Sequence, residues 1–183
     1  MRISEEESLL VVVDVQERLL PVMTDPERLT DRIVRLIEGF GILELPMIMT
    51  EQYPRGLGHT VERVAKAYAN AGGGEIIEKS AFSCCDESGF MDAVDRAGRR
   101  SIILAGIESH VCMLQTTMDL VAKGYQPVIP TDTTSSRFAE DKETALRRID
   151  KEGGILTTSE SLLFELTRVT GTPRFKEISR LVK

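Results

Sequence analysis

The stretch LLVVVD, residues 9–14, decides the fold. Five apolar residues follow one another without a polar interruption, and the last three are β-branched valines. A strand with one wet face alternates apolar and polar residues. A continuous run is instead the pattern of a strand buried on both faces, as at the centre of a parallel sheet. Immediately downstream, DPERLTDRIVRLIEGF begins at Asp25. It offers Asp25 as an N-cap, Pro26 at the first helical position and acid in the first turn. Leu29, Ile33, Leu36, Ile37 and Phe40 then recur at helical spacing, which gives one apolar stripe to lay on the sheet.

The same alternation continues along the chain. PMIMT (46–50), EIIEK (75–79), RSIILAGI (100–107), QPVIPTD (126–132) and GILTT (154–158) read as strands. Helices are expected over about 59–70, over 88–98, from about Ser109 to Gly124, in ETALRRIDKEG and in SESLLFELT. Strand then helix, six times over, predicts an α/β protein: a three-layer α/β/α Rossmann-like fold with a mostly parallel, six-stranded sheet. Its crossovers are right-handed. No repeat, low-complexity tract or linker interrupts the pattern, so residues 1–183 read as one domain. Residues 171–183 read as a tail available to pack on a neighbouring subunit.

In open sheets of this kind ligands sit beyond the carboxyl ends of the strands. The first strand ends in Asp14, the third in Lys79, and the fourth in the Gly106 loop that leads to Cys112 at a helix start. An acid, an ammonium and a thiol therefore converge on one sheet edge. Cysteine attacks as a thiolate, which a helix N-terminus and a nearby ammonium favour. Asp14 can take the thiol proton and return it to a leaving group. The backbone N–H groups of the same helix start can hold an oxyanion. These are the parts for acyl transfer on a small-molecule substrate. Each residue also has a plain structural reading. Asp14 suits a turn after a strand, Lys79 a solvated surface and Cys112 a small core position. Their shared position at strand ends is what sets them apart.

The bulk numbers exclude several classes. A net charge of −6 with no long basic run argues against nucleic acid and anionic membrane as partners. Hydrophobic residues make up 42%, as in a folded globular chain. No apolar run is long enough to span a membrane. The acidic start before the first apolar run has the wrong sign for a secretory leader. With three cysteines, Cys84, Cys85 and Cys112, the chain is expected in a reducing cytoplasm. Cys84 and Cys85 read as incidental loop thiols.

LLVVVDVQERL with Asp14 and Gln16, IIEKSAFS with Lys79, and LAGIESHVCMLQT with Cys112 resemble the isochorismatase-like cysteine hydrolases from about Ser8 to Ser161. TEQYPRGLG and GIESHVCMLQTTMDL look most like the isochorismatase domain-containing subgroup. The resemblance implies a parallel sheet of order 3-2-1-4-5-6 and a triad of Cys112 as nucleophile, Asp14 as acid/base and Lys79. It also implies a cis peptide at Ile107–Glu108 and an oxyanion hole from the Glu108 and Cys112 amides. A homo-oligomer is implied as well. Metal-bearing members use an Asp and two His residues, whereas this chain has only His59 and His110 and no Asp-x-His pair, so no metal and no cofactor are expected. Isochorismatases proper lack the cysteine and cleave a vinyl ether, so Cys112 favours acyl or imidate chemistry, a C–N hydrolase. Many relatives have Asp where His110 stands. Gln16, Glu51, Gln52, Tyr53, Phe82, His110 and Leu114 are expected to line the substrate pocket, being near strand ends. The alternatives are a weakly active member serving as a binding or scaffold protein, which a raised Cys112 pKa would favour, and a thiol redox sensor.

Overall fold

The computed structural model describes residues 2–74 and 76–183. The run that opened the sequence reading forms β1 (Ser8–Val13), with all six residues buried. Its side chains alternate between two cores, as period two requires. Leu10 and Val12 join Ile33, Leu36, Ile37 and Phe40 of α1 (Pro26–Ile42) on one face. Leu9, Val11 and Val13 join Phe90 and Val94 of α4 (Ser88–Ala97) on the other. An unbroken apolar run is therefore what a central strand between two helical layers needs.

β2 (Met47–Gln52), a short turn α2 (Pro54–Leu57), α3 (Glu62–Asn70) and β3 (Ile76–Lys79) build one side of the sheet. Residue 75 of the expected third strand lies outside the described residues. β4 (Ser101–Ile107), α5 (Leu114–Ala122), β5 (Gln126–Pro130), β6 (Thr134–Ser135), α6 (Ala139–Lys151), β7 (Ile155–Thr157) and α7 (Ser159–Thr167) build the other. The order is β3-β2-β1-β4-β5-β7, every pairing is parallel, and β6 pairs with β4 off this path. The expected three-layer fold and strand order are thus present, with one strand more than the six anticipated. The extra strand is two residues long and polar, so it carries no periodic signal.

β1 and β4 run side by side, from Ser8↔Ser101 to Val13↔Gly106. At that last pair Gly106 has φ +133, and a Cβ there would collide with the Val13 carbonyl. Only glycine fits this close approach.

The segment expected as a tail is helical and ordered against its own chain. Residues 173–181 form α8 (Pro173–Leu181), capped by the Thr172 side chain and started by Pro173. It packs on α1 and α7 of its own chain and buries Ile178. Among the described residues no helix is long and apolar enough to cross a membrane.

Candidate active site

Asp14 follows β1 and sits in the left-handed region, with φ 54. Asp tolerates this conformation better than most residues, and a non-glycine there is more common at functional sites. The turn aims the carboxylate back over the strand ends. Thr50, paired with Val13 across β1 and β2, donates its hydroxyl to Asp14 Oδ1 at 2.8 Å. Lys79, the last residue of β3, brings Nζ to 2.7 Å from Asp14 Oδ2. At that distance the ammonium engages Oδ2, while Thr50 holds the other oxygen.

Lys79 Nζ donates to Gln52 Oε1 at 2.5 Å, to the Ala81 and Phe82 carbonyls at 3.1 Å each, and to Cys112 Sγ at 3.6 Å. Cys112 lies in a widened π-helical turn, Ser109–Met113, that continues into α5. The sequence reading had it opening the helix. Such turns are rare and favour functional positions. The Glu108 carbonyl accepts from the Val111 and Met113 amides. The Ile107–Glu108 peptide bond is cis. The 133–137 segment holds the turn from outside. Gly106 N–H donates to the Thr133 carbonyl, Ser109 Oγ meets Thr134 Oγ1 at 2.8 Å, and Arg137 Nε donates to Glu108 Oε1 at 3.1 Å.

Burial governs the electrostatics. It raises the Asp14 pKa against the opposing pull of Lys79 and of hydrogen bonds from Thr50 and Cys112. Burial pulls Lys79 down, but the Asp14 charge, with Cys112 and Cys84, outweighs it and leaves the ammonium raised. Burial and then the Asp14 charge push the Cys112 thiol up to about 12, with Lys79 opposing. The Lys79 ammonium thus lies between Asp14 and a thiol that holds its proton, with Cys112 only 6% exposed. The ready thiolate expected from the helix start is not the resting form, because a second buried anion beside Asp14 costs more than Lys79 and the turn return.

The expected pocket residues divide. Gln52 joins the cluster through Lys79 and also donates to the Ser80 carbonyl at 2.8 Å. Gln16 clamps the first two strand ends: its Nε2 donates to the Gln52 and Gly58 carbonyls, and its Oε1 accepts from Gln52 N at 2.7 Å. Glu51 does not reach the thiol. Strand parity turns it opposite to Thr50 and Gln52, where it accepts from Thr60 N and Oγ1 and pairs with His59 Nδ1 at 3.0 Å. His110 Nδ1 lies 2.9 Å from Ser136 Oγ, and Leu114 packs against the α4-side core. Tyr53 lines a cleft of about 380 Å³ that reaches Lys79. Phe82 stands 55% exposed beside the site while its carbonyl holds the ammonium. Thr50 was missed by the sequence reading. Two-residue parity with Gln52 would have pointed to it. Among the described residues no group of three His, Cys, Asp or Glu side chains is placed to hold a metal ion, and His59 and His110 have different partners, so the Asp and two His pattern of metal-bearing relatives is not reproduced here.

Residues 8–161 match the isochorismatase domain. The chain belongs to the isochorismatase family. It is 38% identical over 170 residues to isochorismatase domain-containing protein 1 of Salmo salar, covering 93% of this chain and 59% of that relative. The chain thus spans less than two thirds of that relative's length. Isochorismatase domain-containing protein 2A of Mus musculus is 35% identical over 183 residues, covering 100% of this chain and 85% of the relative. Among solved structures, that of MAR1 ribonuclease from Caenorhabditis elegans has a TM-score of 0.91 at 36% identity, covering 100% of this chain and 92% of that one.

Proposed function

We propose that the protein is a metal-independent cysteine hydrolase of a small-molecule amide or related C–N substrate, with Cys112, Asp14 and Lys79 as its triad. The observation that carries this reading is the buried Lys79 ammonium, 2.7 Å from Asp14 Oδ2 on one side and 3.6 Å from Cys112 Sγ on the other. Cys112 Sγ bonds to the substrate carbonyl carbon as the thiol proton passes to Asp14. The proton stays within the cluster, so attack coupled to its transfer needs no free thiolate to form against solvent. The amides of Glu108 and Cys112 take the oxyanion. The intermediate collapses, the C–N bond breaks, and protonated Asp14 gives its proton to the leaving amine. Water then attacks the thioester, its proton goes to Asp14, the C–S bond breaks, and the departing sulfur takes the proton back. Lys79 keeps one positive charge beside the shifting negative charge throughout. Gln52 and the Ala81 and Phe82 carbonyls fix its position.

The raised Cys112 pKa favours a second reading, a binding or scaffold protein with an idle thiol. One experiment separates the two. Wild type and Cys112→Ala are screened against amides, carbamoyl compounds and hydroxamates, with an RNA oligonucleotide included because the Caenorhabditis elegans neighbour is named a ribonuclease. Turnover of a C–N compound by wild type alone, with an acyl adduct on Cys112 by mass spectrometry, is expected. Absence of both turnover and adduct leaves the idle reading. RNA cleavage that survives Cys112→Ala overturns the exclusion of nucleic acid, which rests on the −6 net charge.

We further infer a homo-oligomer, supported by an apolar rim on the site's edge, and a reducing compartment such as the cytoplasm, supported by three free and buried cysteines.

A further inference from the structure

A groove of about 440 Å³ opens between the starts of α1 and α6, and none of Asp14, Lys79 and Cys112 lines it. The 134–136 segment lies between the two places: Ser135 lines the groove, while Ser136 bonds His110 on the nucleophile's turn. Two cations face the groove, Arg28 from α1 and Lys142 from α6. Among the described residues neither side chain makes a hydrogen bond or an ion pair. Lys142 is half-buried. Its pKa is lowered by burial first, with Asp132 opposing and the neighbouring Arg28 adding to the depression. A desolvated ammonium next to another cation, with no counter-charge in contact, is a costly arrangement to leave without a partner.

The carboxylates around the groove do not fill that role. Asp132 is taken up at the start of α7, where it accepts from Ser159 N at 2.8 Å and Ser159 Oγ at 2.6 Å, with Arg32 Nε 3.8 Å away. Asp25 and Glu143 are exposed, and among the described residues neither carboxylate makes an ion pair. Their solvated charges at the rim disfavour a long polyanion and leave room for a compact one. Both helices begin at the groove, where Asp25 and Arg28 line it from the start of α1 and Ala139 and Lys142 from the start of α6.

We propose that this groove is a binding site for a compact anion, a phosphate or carboxylate group, held between Lys142 and Arg28 and distinct from the triad. The test is calorimetric titration of the full chain at neutral pH with inorganic phosphate and, separately, with succinate. Wild type is expected to bind at least one probe saturably at one site. Lys142→Gln and Arg28→Gln each remove a charge-assisted contact and should weaken that binding by about tenfold or more. Arg147→Gln, an exposed cation elsewhere on α6, should leave it unchanged. Binding of phosphate alone assigns a phosphate-bearing ligand, and binding of succinate alone a carboxylate. Comparable binding of both assigns a general small-anion site. Should Lys142→Gln fail to fold, the exposed Arg28→Gln decides. No saturable binding of either probe, or binding undiminished in the folded variants, overturns the proposal.

Discussion

Asp14 meets three demands at once: a left-handed backbone at the end of β1, full burial, and a carboxylate shared between Thr50, Lys79 and the thiol. Its two possible effects on Cys112 have opposite signs and can be separated. The Asp14 charge raises the thiol pKa, so Asp14→Asn should lower it, and iodoacetamide should then alkylate Cys112 faster than in wild type at pH 9. Turnover should nevertheless be lost, because the proton has no acceptor. Faster alkylation with retained turnover would remove Asp14 from the chemistry. The same substitution leaves a buried ammonium without its counter-ion, at a cost of about 3–5 kcal/mol in a urea titration. Linkage gives a further sign. An unfolded thiol ionises near 9.0, while folded Cys112 holds its proton to about 12. Between those values the folded state binds the extra proton, so stability falls as pH rises. Cys84 and Cys85, also raised, add slopes of the same sign. Cys112→Ala should therefore flatten wild type's alkaline stability curve by the share of one thiol, and an unchanged slope would show that Cys112 ionises normally in the folded protein. Asp14, Lys79 and Cys112 were legible because strand ends are marked in the sequence. The roles of Thr50, Gln52 and Glu51 were not, because alternation pairs Thr50 with Gln52 but a short continuous run does not show which of the two faces of β2 meets the thiol.

At the scale of elements, the site depends on how closely β4 approaches β1. Gly106 permits it, with a positive φ and no Cβ against the Val13 carbonyl. Gly106→Ala both strains the backbone and pushes two central strands apart. It should cost about 1–3 kcal/mol for the backbone conformation alone and more for the clash, read as a lower thermal midpoint. An unshifted midpoint would mean that the strands part without cost. α8 makes a second prediction. Ile178 is fully buried beneath it against α1 and α7, so Ile178→Ala should cost about 2–5 kcal/mol by chemical denaturation. Loss of less than 1 kcal/mol would fit the tail expected from sequence better than the packed helix. The long elements were readable because α1 repeats five apolar positions at helical spacing and β1 is an unbroken run of five. β6, the π-helical turn and α8 were not. The first two are too short to show a period, and Gly171-Thr172-Pro173 was read as the end of the fold although Thr172 and Pro173 also form a good helix start.

At the scale of the molecule, the exposed apolar side chains are unevenly placed. Among the described residues the large ones are Val22, Tyr53, Phe82, Phe138, Phe164 and Val169. The first four lie in loops beyond the carboxyl ends of β1, β2, β3 and β6, at 56%, 57%, 55% and 62% exposure. Single exposed apolar residues are ordinary, but several on one edge suit a surface that another chain covers. That edge also carries the triad, so assembly there would narrow the approach to Cys112 and exclude water around the thioester. Three of the four are aromatic, the residue type enriched where interfaces are most buried. Light scattering after gel filtration should therefore give an oligomer at micromolar concentration. The combined change Tyr53→Ser, Phe82→Ser and Phe138→Ser should give a monomer whose circular dichroism matches wild type, since none of these rings belongs to either core. If the monomer also turns over substrate more slowly while Cys112 is alkylated faster, the neighbouring chain is part of the site's enclosure. If wild type is itself monomeric, the apolar rim must serve the substrate, and the enclosure of Cys112 is complete within one chain.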